Sequence, residues 1–228
     1  MTGRHEAVLF DLDGTLVDTA KDMVRVLFDM IEAYGIPTLS YARARASVSN
    51  GSLGLIQTAF PDLVAAKQAK LQQEYLSRYE DLLREPSVES ILFPGMPELI
   101  DTLDQHGRPW GIVTNKPQRM TDPLLAHLGL SDRAGCAISG DTLAERKPHP
   151  APLLLGSDQI GTPPGKTIYV GDARRDIEAG RAAGMKTVAV TYGYITADDD
   201  PALWEADDMA ANTGELTKIL LKAVNLAA

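Results

Sequence analysis

Residues 7–19 read AVLFDLDGTLVDT: an apolar run, then Asp11 and Asp13 one residue apart, then Gly14 and Thr15. A short, continuously apolar segment of this kind fits a strand buried on both faces of a parallel sheet. The two aspartates then sit at its carboxyl end. Desolvating an unpaired carboxylate is costly, so such a strand end requires a cation nearby. Gly14 permits a tight turn after the aspartates, and Thr15 is suited to bond locally and fix it.

Beyond this stretch the pattern becomes helical. Met23, Val26, Leu27, Met30 and Ile31 recur at helical spacing between residues 19 and 34, a core stripe, and a second helical pattern runs from Leu53 to Phe60. A third, AAKQAKLQQEYLSRYEDLL, is rich in strong helix formers. Residues 18–90 therefore read as a helical block with no clear strand. After LFPGMPELI, short apolar runs alternate with helical patterns: WGIVT (110–114), CAIS (136–139), TIYV (167–170) and KTVAVT (186–191). That alternation predicts an α/β fold, a doubly wound parallel sheet with the helical block inserted after its first strand. The acidic stretch ADDDPALWEADD reads as a solvated loop.

The chain has 228 residues, 44% hydrophobic and 23% charged, with a formal net charge of -9. This composition is ordinary for a folded, soluble globular enzyme, and the acidic balance leaves no electrostatic footprint for nucleic acid or an anionic membrane. The single cysteine, Cys136, excludes an internal disulfide and a Cys-rich zinc site, and is expected to be a small buried thiol. Neither a leader segment nor a membrane-length apolar run is evident, so a cytoplasmic location is expected.

Ligands of open α/β sheets bind at the carboxyl ends of the strands. There the sequence delivers Asp11 and Asp13, then Thr114, Asn115 and Lys116, then Lys147 from a following loop, and finally Asp172 and Asp176. Several carboxylates cannot share a small cleft without a counter-ion. A hard divalent cation such as Mg²⁺ meets that need, binding through carboxylates, a carbonyl, waters and phosphate oxygens. With Lys147 and the Thr114 hydroxyl it forms a receptacle for a dianionic phosphoryl group, beside which an aspartate is a competent nucleophile. Taken singly, Asp172 also suits a helix N-cap, Asp176 a helix-start charge, Arg175 a solvated side chain and His149 a loop residue.

In order, DLDGT, VTNK, the lysine of KP and GDARRD resemble the motifs of the haloacid dehalogenase superfamily of phosphohydrolases, over residues 7 to about 195. The helical insertion is similar to the small cap of the subgroup that includes the phosphoglycolate phosphatases and a relative acting on N-acetylmuramic acid 6-phosphate. FDLDGTLVDT, NGS, FPGMPELI, GIVTNKP and VGDARRDIEAGRAAGM carry that closer likeness. The resemblance implies a Rossmann-like core of residues 1–17 and 91–228 and a cap of residues 18–90. It implies that Asp11 attacks phosphorus and that Asp13 serves as acid and base while its carbonyl ligates Mg²⁺. It further implies that Thr114 and the backbone at Asn115 hold the transferring oxygens, that Lys147 pairs with the nucleophile, and that Asp172 ligates the metal with Asp176 behind it.

Specificity is expected from the cap, where Asn50, Gly51 and Ser52 lie in SVSNGSLGL, read as an interhelical loop able to bind substrate, and from Arg119, placed for a second anionic group. The expected partner is a small phosphorylated metabolite, and the protein a monomer or homodimer. Asp13 argues against dehalogenation, and Lys21, Lys67 and Lys70 are the only cap candidates for a Schiff base. A phosphomutase and a non-catalytic binding module remain as competing readings, and the choice between 2-phosphoglycolate and a sugar phosphate stays open.

Overall fold

A computed structural model describes residues 5–226 of the chain. β1 (Ala7–Phe10) is buried throughout, and its alternate residues serve opposite layers: Val8 and Phe10 join one apolar cluster, Ala7 and Leu9 the other. Because both faces are covered, the strand has no polar alternation to display. The chain then forms β2 (Val17–Asp18), which pairs antiparallel with β3 (Ile91–Leu92) in a two-stranded ribbon. No apolar pattern announces a ribbon of two residues per strand, and the sequence reading missed it.

Between the ribbon strands lie α1 (Ala20–Ala33), α2 (Tyr41–Ser47), a short 3-10 turn (Val48–Asn50), α3 (Gly51–Ala59) and α4 (Ala65–Leu82). Gly51 and Ser52 thus open a helix rather than occupying a loop. The α1 stripe, including Met23, Val26, Leu27, Met30 and Ile31, is buried as its spacing requires, and the Tyr75 hydroxyl of α4 donates to the Met23 carbonyl at 2.9 Å. Asp22, fully buried on α1, fastens the returning segment. Its carboxylate accepts the Glu89 N–H (3.0 Å), the Ser90 N–H (2.7 Å) and the Ser90 hydroxyl.

The remaining elements are α5 (Met96–Gln105), β4 (Trp110–Val113), α6 (Gln118–His127), β5 (Ala137–Ile138), α7 (Ala151–Gln159), β6 (Thr167–Gly171), α8 (Arg174–Ala182), β7 (Lys186–Val190), β8 (Asp208–Ala210) and α9 (Thr213–Ala223). Six strands make one sheet in the order β5-β4-β1-β6-β7-β8, every pairing parallel. The chain moves outward from β1 through β4 to β5, then crosses back to β6 and proceeds the other way. The strand order therefore reverses around β1, and the crevice expected at such a reversal lies at the carboxyl ends of β4, β1 and β6.

The acidic stretch departs from expectation. Trp204 within it is buried, its indole N–H donating to Asp199 at 2.7 Å, and Asp208 begins the edge strand β8. Cys136 is buried as expected, and that burial pushes its thiol up to about 11. Among the described residues no helix is long and apolar enough to cross a membrane.

Candidate active site

Asp11 follows directly on β1, where its Oδ1 accepts the Leu12 N–H at 2.8 Å. Gly14 turns the chain away with φ +81°, and a Cβ there would fall on the Asp172 carboxylate. The glycine is needed twice, for its dihedral and for its lack of a side chain. Thr15 bonds locally through its backbone, its N–H donating to the Leu12 carbonyl at 3.4 Å, but not through its side chain: the hydroxyl is buried without a hydrogen-bond partner, while the carbonyl accepts the Tyr192 hydroxyl at 2.8 Å.

Lys147 comes from the loop between β5 and α7 and is buried with its ammonium at the centre of the site. Nζ lies 2.8 Å from Asp11 Oδ1 and 2.8 Å from Asp176 Oδ1, and donates to the Val113 carbonyl (3.0 Å) and the Tyr169 hydroxyl (2.8 Å). Asp176 sits in the first turn of α8, where its other oxygen accepts the Ala173 N–H at 3.1 Å, so it serves the helix start and the lysine together. Ala173, not Asp172, occupies the N-cap. Asp172 turns inward instead: Oδ2 accepts the Tyr194 N–H at 2.8 Å, and Oδ1 is buried with no hydrogen-bond partner.

Oxygens of Asp11, Asp172 and Asp176 lie within 4.8 Å of one another. Among the described residues, Lys147 makes the ion pairs with this cluster and the Arg175 charge faces it from nearby, so three carboxylates meet two cations and excess negative charge remains in a buried place. Burial, then the charges of Asp11 and Asp176, hold the Asp172 carboxyl well above the usual carboxylate range, and burial raises Asp176 as well. An all-oxygen donor set, an unpartnered carboxylate oxygen and uncompensated charge fit a hard divalent cation.

The Asp13 carboxylate is directed elsewhere. It accepts the Thr19 hydroxyl at 2.7 Å and pairs with Lys116 Nζ at 2.9 Å. Thr114, just past β4, accepts the Lys116 N–H on its hydroxyl at 3.1 Å. The Asn115 side-chain amide donates to the Lys147 carbonyl (2.9 Å) and accepts the Lys147 N–H (3.1 Å), locking two loops together.

A cavity of about 680 Å³ opens over this edge. Asp11, Asp13, Thr114 and Asn115 form its floor, while Asn50, Gly51, Ser52, Gln72 and Tyr79 of the helical block form its roof. Arg119 reaches the same cavity but pairs with Glu80 of α4 at 3.2 Å. Lys21, Lys67 and Lys70 are exposed and outside the lining, so the structure offers no helical-block lysine for a Schiff base among the described residues. His149 is an exposed loop residue.

The description "Haloacid dehalogenase-like hydrolase" fits residues 8–190. This chain belongs to that family. A phosphoglycolate phosphatase of Xanthomonas campestris pv. campestris (strain 8004) is 46% identical over 210 residues, 92% of this chain and 94% of that one. An N-acetylmuramic acid 6-phosphate phosphatase of Pseudomonas aeruginosa is 40% identical over 222 residues, 97% of each chain. A crystal structure from Haemophilus somnus 129pt, described as a predicted phosphoglycolate phosphatase, aligns with a TM-score of 0.81 at 27% identity, covering 95% of this chain and 98% of that one.

Two features of this hydrolase escaped the sequence reading. Arg175 is not a solvated side chain: it is half-buried and lines the cavity beside Asp11. The sequence brings Lys116 to the ligand-binding edge but assigns it no partner. It is buried, and it joins Asp13 to Tyr79. A lysine following Thr-Asn carries no sequence signal of burial, and its partner on α4 is 37 positions away.

Proposed function

We propose that this protein is a Mg²⁺-dependent phosphomonoester hydrolase for a small phosphometabolite, working through an aspartyl-phosphate. The observation that carries the reading is Lys147 held between Asp11 and Asp176, beside the unpartnered oxygen of Asp172. Asp11, Asp172 and the backbone carbonyl of Asp13 would hold the ion, with Asp176 behind them. Bound there, Mg²⁺ supplies positive charge to the phosphoryl oxygens as the transition state forms.

An Asp11 oxygen attacks phosphorus and the ester P–O bond breaks. The departing alkoxide takes its proton from Asp13, a contribution worth typically ~10²- to 10⁴-fold in rate. Asp13 then accepts a proton from water as that water attacks the phosphoryl group, and the bond to Asp11 breaks to release phosphate. Lys147 neutralises the nucleophile and the phosphoryl charge, while Thr114 and the backbone at Asn115 orient the oxygens. Residues 18–90 act as a cap over a core of residues 1–17 and 91–228, excluding water on closure. Asn50, Gly51, Ser52 and Arg119 contact the remainder of the substrate. Every one of these side chains comes from one chain, so a monomer or a homodimer of independent sites suffices, and action on a small phosphometabolite supports a cytoplasmic location.

By likeness to the Xanthomonas relative, 2-phosphoglycolate is the first substrate. N-acetylmuramic acid 6-phosphate is the second, favoured by a cavity of about 680 Å³ whose roof carries Asn50, Ser52, Gln72 and Gln73, more polar room than a two-carbon acid fills. Phosphate release from each ester with Mg²⁺, with EDTA and Asp11→Asn as controls, tests the reading. A kcat/KM preference assigns the substrate, release only when a bisphosphate is supplied turns the reading to a mutase, and activity surviving Asp11→Asn overturns it.

A further inference from the structure

The reaction above leaves Lys116 without a task, although its side chain is 3% exposed. Nζ lies 2.9 Å from Asp13 Oδ1 and 3.2 Å from Oδ2, donates to the Tyr79 hydroxyl at 3.1 Å, and stands 4.6 Å from the centre of the Tyr79 ring. Thr19 adds a second donor to Oδ1. Both Asp13 oxygens are therefore held, and the carboxylate has one orientation rather than several rotamers. Tyr79 itself comes from α4. Burial, then the charges of Asp13 and Asp22, keep its hydroxyl protonated, so it meets the ammonium as a neutral partner. The next residue of α4, Glu80, pairs with Arg119 on α6, so consecutive positions of one roof helix grip the segment that bears Lys116.

We propose that Lys116 is a positioning residue for the Asp13 carboxylate, and that Tyr79 makes this positioning depend on α4 standing over the site. The inference rests on Asp13 being the proton donor to the leaving group. The ammonium aims the carboxylate, and α4 holds the ammonium. With α4 displaced, Lys116 loses its hydroxyl and ring contacts and Asp13 its fixed direction, so proton donation is ready only beneath the roof.

The test compares an alkyl ester, 2-phosphoglycolate, with p-nitrophenyl phosphate, whose leaving group departs without a proton. kcat/KM is the measure because it ends at phospho-aspartate formation and excludes the hydrolytic half. Lys116→Met is expected to lose about tenfold or more on the alkyl ester, part of the ~10²- to 10⁴-fold range of acid catalysis, and several-fold less on the aryl ester. Lys116→Arg should recover part of that loss. Tyr79→Phe, which keeps the ring and the fold, should show a smaller loss with the same bias. In an Asp13→Asn background, Lys116→Met should add little, since the carboxylate it aims is gone. Equal losses on both esters, a rise in KM alone, or full additivity with Asp13→Asn would overturn the proposal while leaving the acid–base reading intact. If Asp13→Asn itself loses equally on both esters, the acid–base reading fails and takes this inference with it.

Discussion

Asp22 offers the sharpest test of how the helical block is attached. Its carboxylate is fully buried and serves as common acceptor for the Glu89 N–H, the Ser90 N–H and the Ser90 hydroxyl. Ser90 is also fully buried, so Asp22→Ala would orphan its N–H and its hydroxyl, whereas the Glu89 N–H can turn to water. At about 1–3 kcal/mol for each orphaned group, the substitution costs about 2–6 kcal/mol. With roughly 2–4 °C per kcal/mol for a chain of this length, a central value of about 4 kcal/mol lowers Tm by roughly 8–16 °C. Asp22→Asn keeps one acceptor oxygen for Ser90 and loses mainly the charge, so about 1–2 kcal/mol is expected. Thermal unfolding gives the totals, and amide exchange at Ser90 shows whether the loss is local. A Tm within about 2 °C of the parent for Asp22→Ala, or unchanged protection of the Ser90 amide, refutes the reasoning.

Metal and pH should act together on stability. The Asp172 carboxyl of the metal-free fold binds its proton more tightly than in the unfolded chain, because of burial and the charges of Asp11 and Asp176. The folded state therefore holds more protons, and stability falls as pH rises from the ordinary carboxylate value through the raised one. In EDTA, Tm should drop over that window more steeply for the parent than for Asp172→Asn. Mg²⁺ at about 100 times its Kd should restore about 2.7 kcal/mol to the parent and nothing comparable to the variant. Parallel pH profiles in EDTA would contradict the assignment. Gly14→Ala and Gly35→Ala both place a side chain at positive φ, but only the first meets anything, the Asp172 carboxylate and the Tyr194 ring. Gly14→Ala should cut kcat/KM by about 10²-fold, the effect of a misplacement of about 1 Å. Gly35→Ala should cost stability alone, and similar kinetics for the two would show that strain, not collision, matters at Gly14.

The sheet was legible because its strands are short apolar runs ending in chemistry: Asp11 after β1, Thr114 after β4, Asp172 after β6. Burial on both faces imposes that pattern directly on the sequence. β8 was not legible, since an edge strand beginning at Asp208 among acidic residues needs no apolar face of its own. Nor was α2, whose Tyr-Ala-Arg-Ala-Arg sequence lacks a stripe. Within the site, the residues brought together from four segments were readable as charges awaiting a cation, and Asp11, Lys147, Asp172 and Asp176 do meet. The direction in which Asp13 points was not, because it is set by Lys116 and Thr19 through contacts that leave no periodic trace. Arg175 and Tyr79 likewise took their meaning from the cavity, not from their neighbours in the chain.

The side chain of Asn115 accepts the Lys147 N–H and donates to the Lys147 carbonyl. It behaves as a peptide group borrowed from a neighbouring strand, adding a counterfeit rung to the ladder just where β4 and β5 have stopped pairing. The two loops, already tied where the Gly140 N–H donates to the Lys116 carbonyl at 2.8 Å, thereby gain a second register point at the lysine itself. An insertion or deletion in either must preserve that rung, or the lysine at the heart of the site loses its address. The loop carrying Lys147 is accordingly freest to vary in length between residues 142 and 146, since Gly140 and Asp141 are bonded to the β4 loop and Lys147 is held by the two atoms that Asn115 reads.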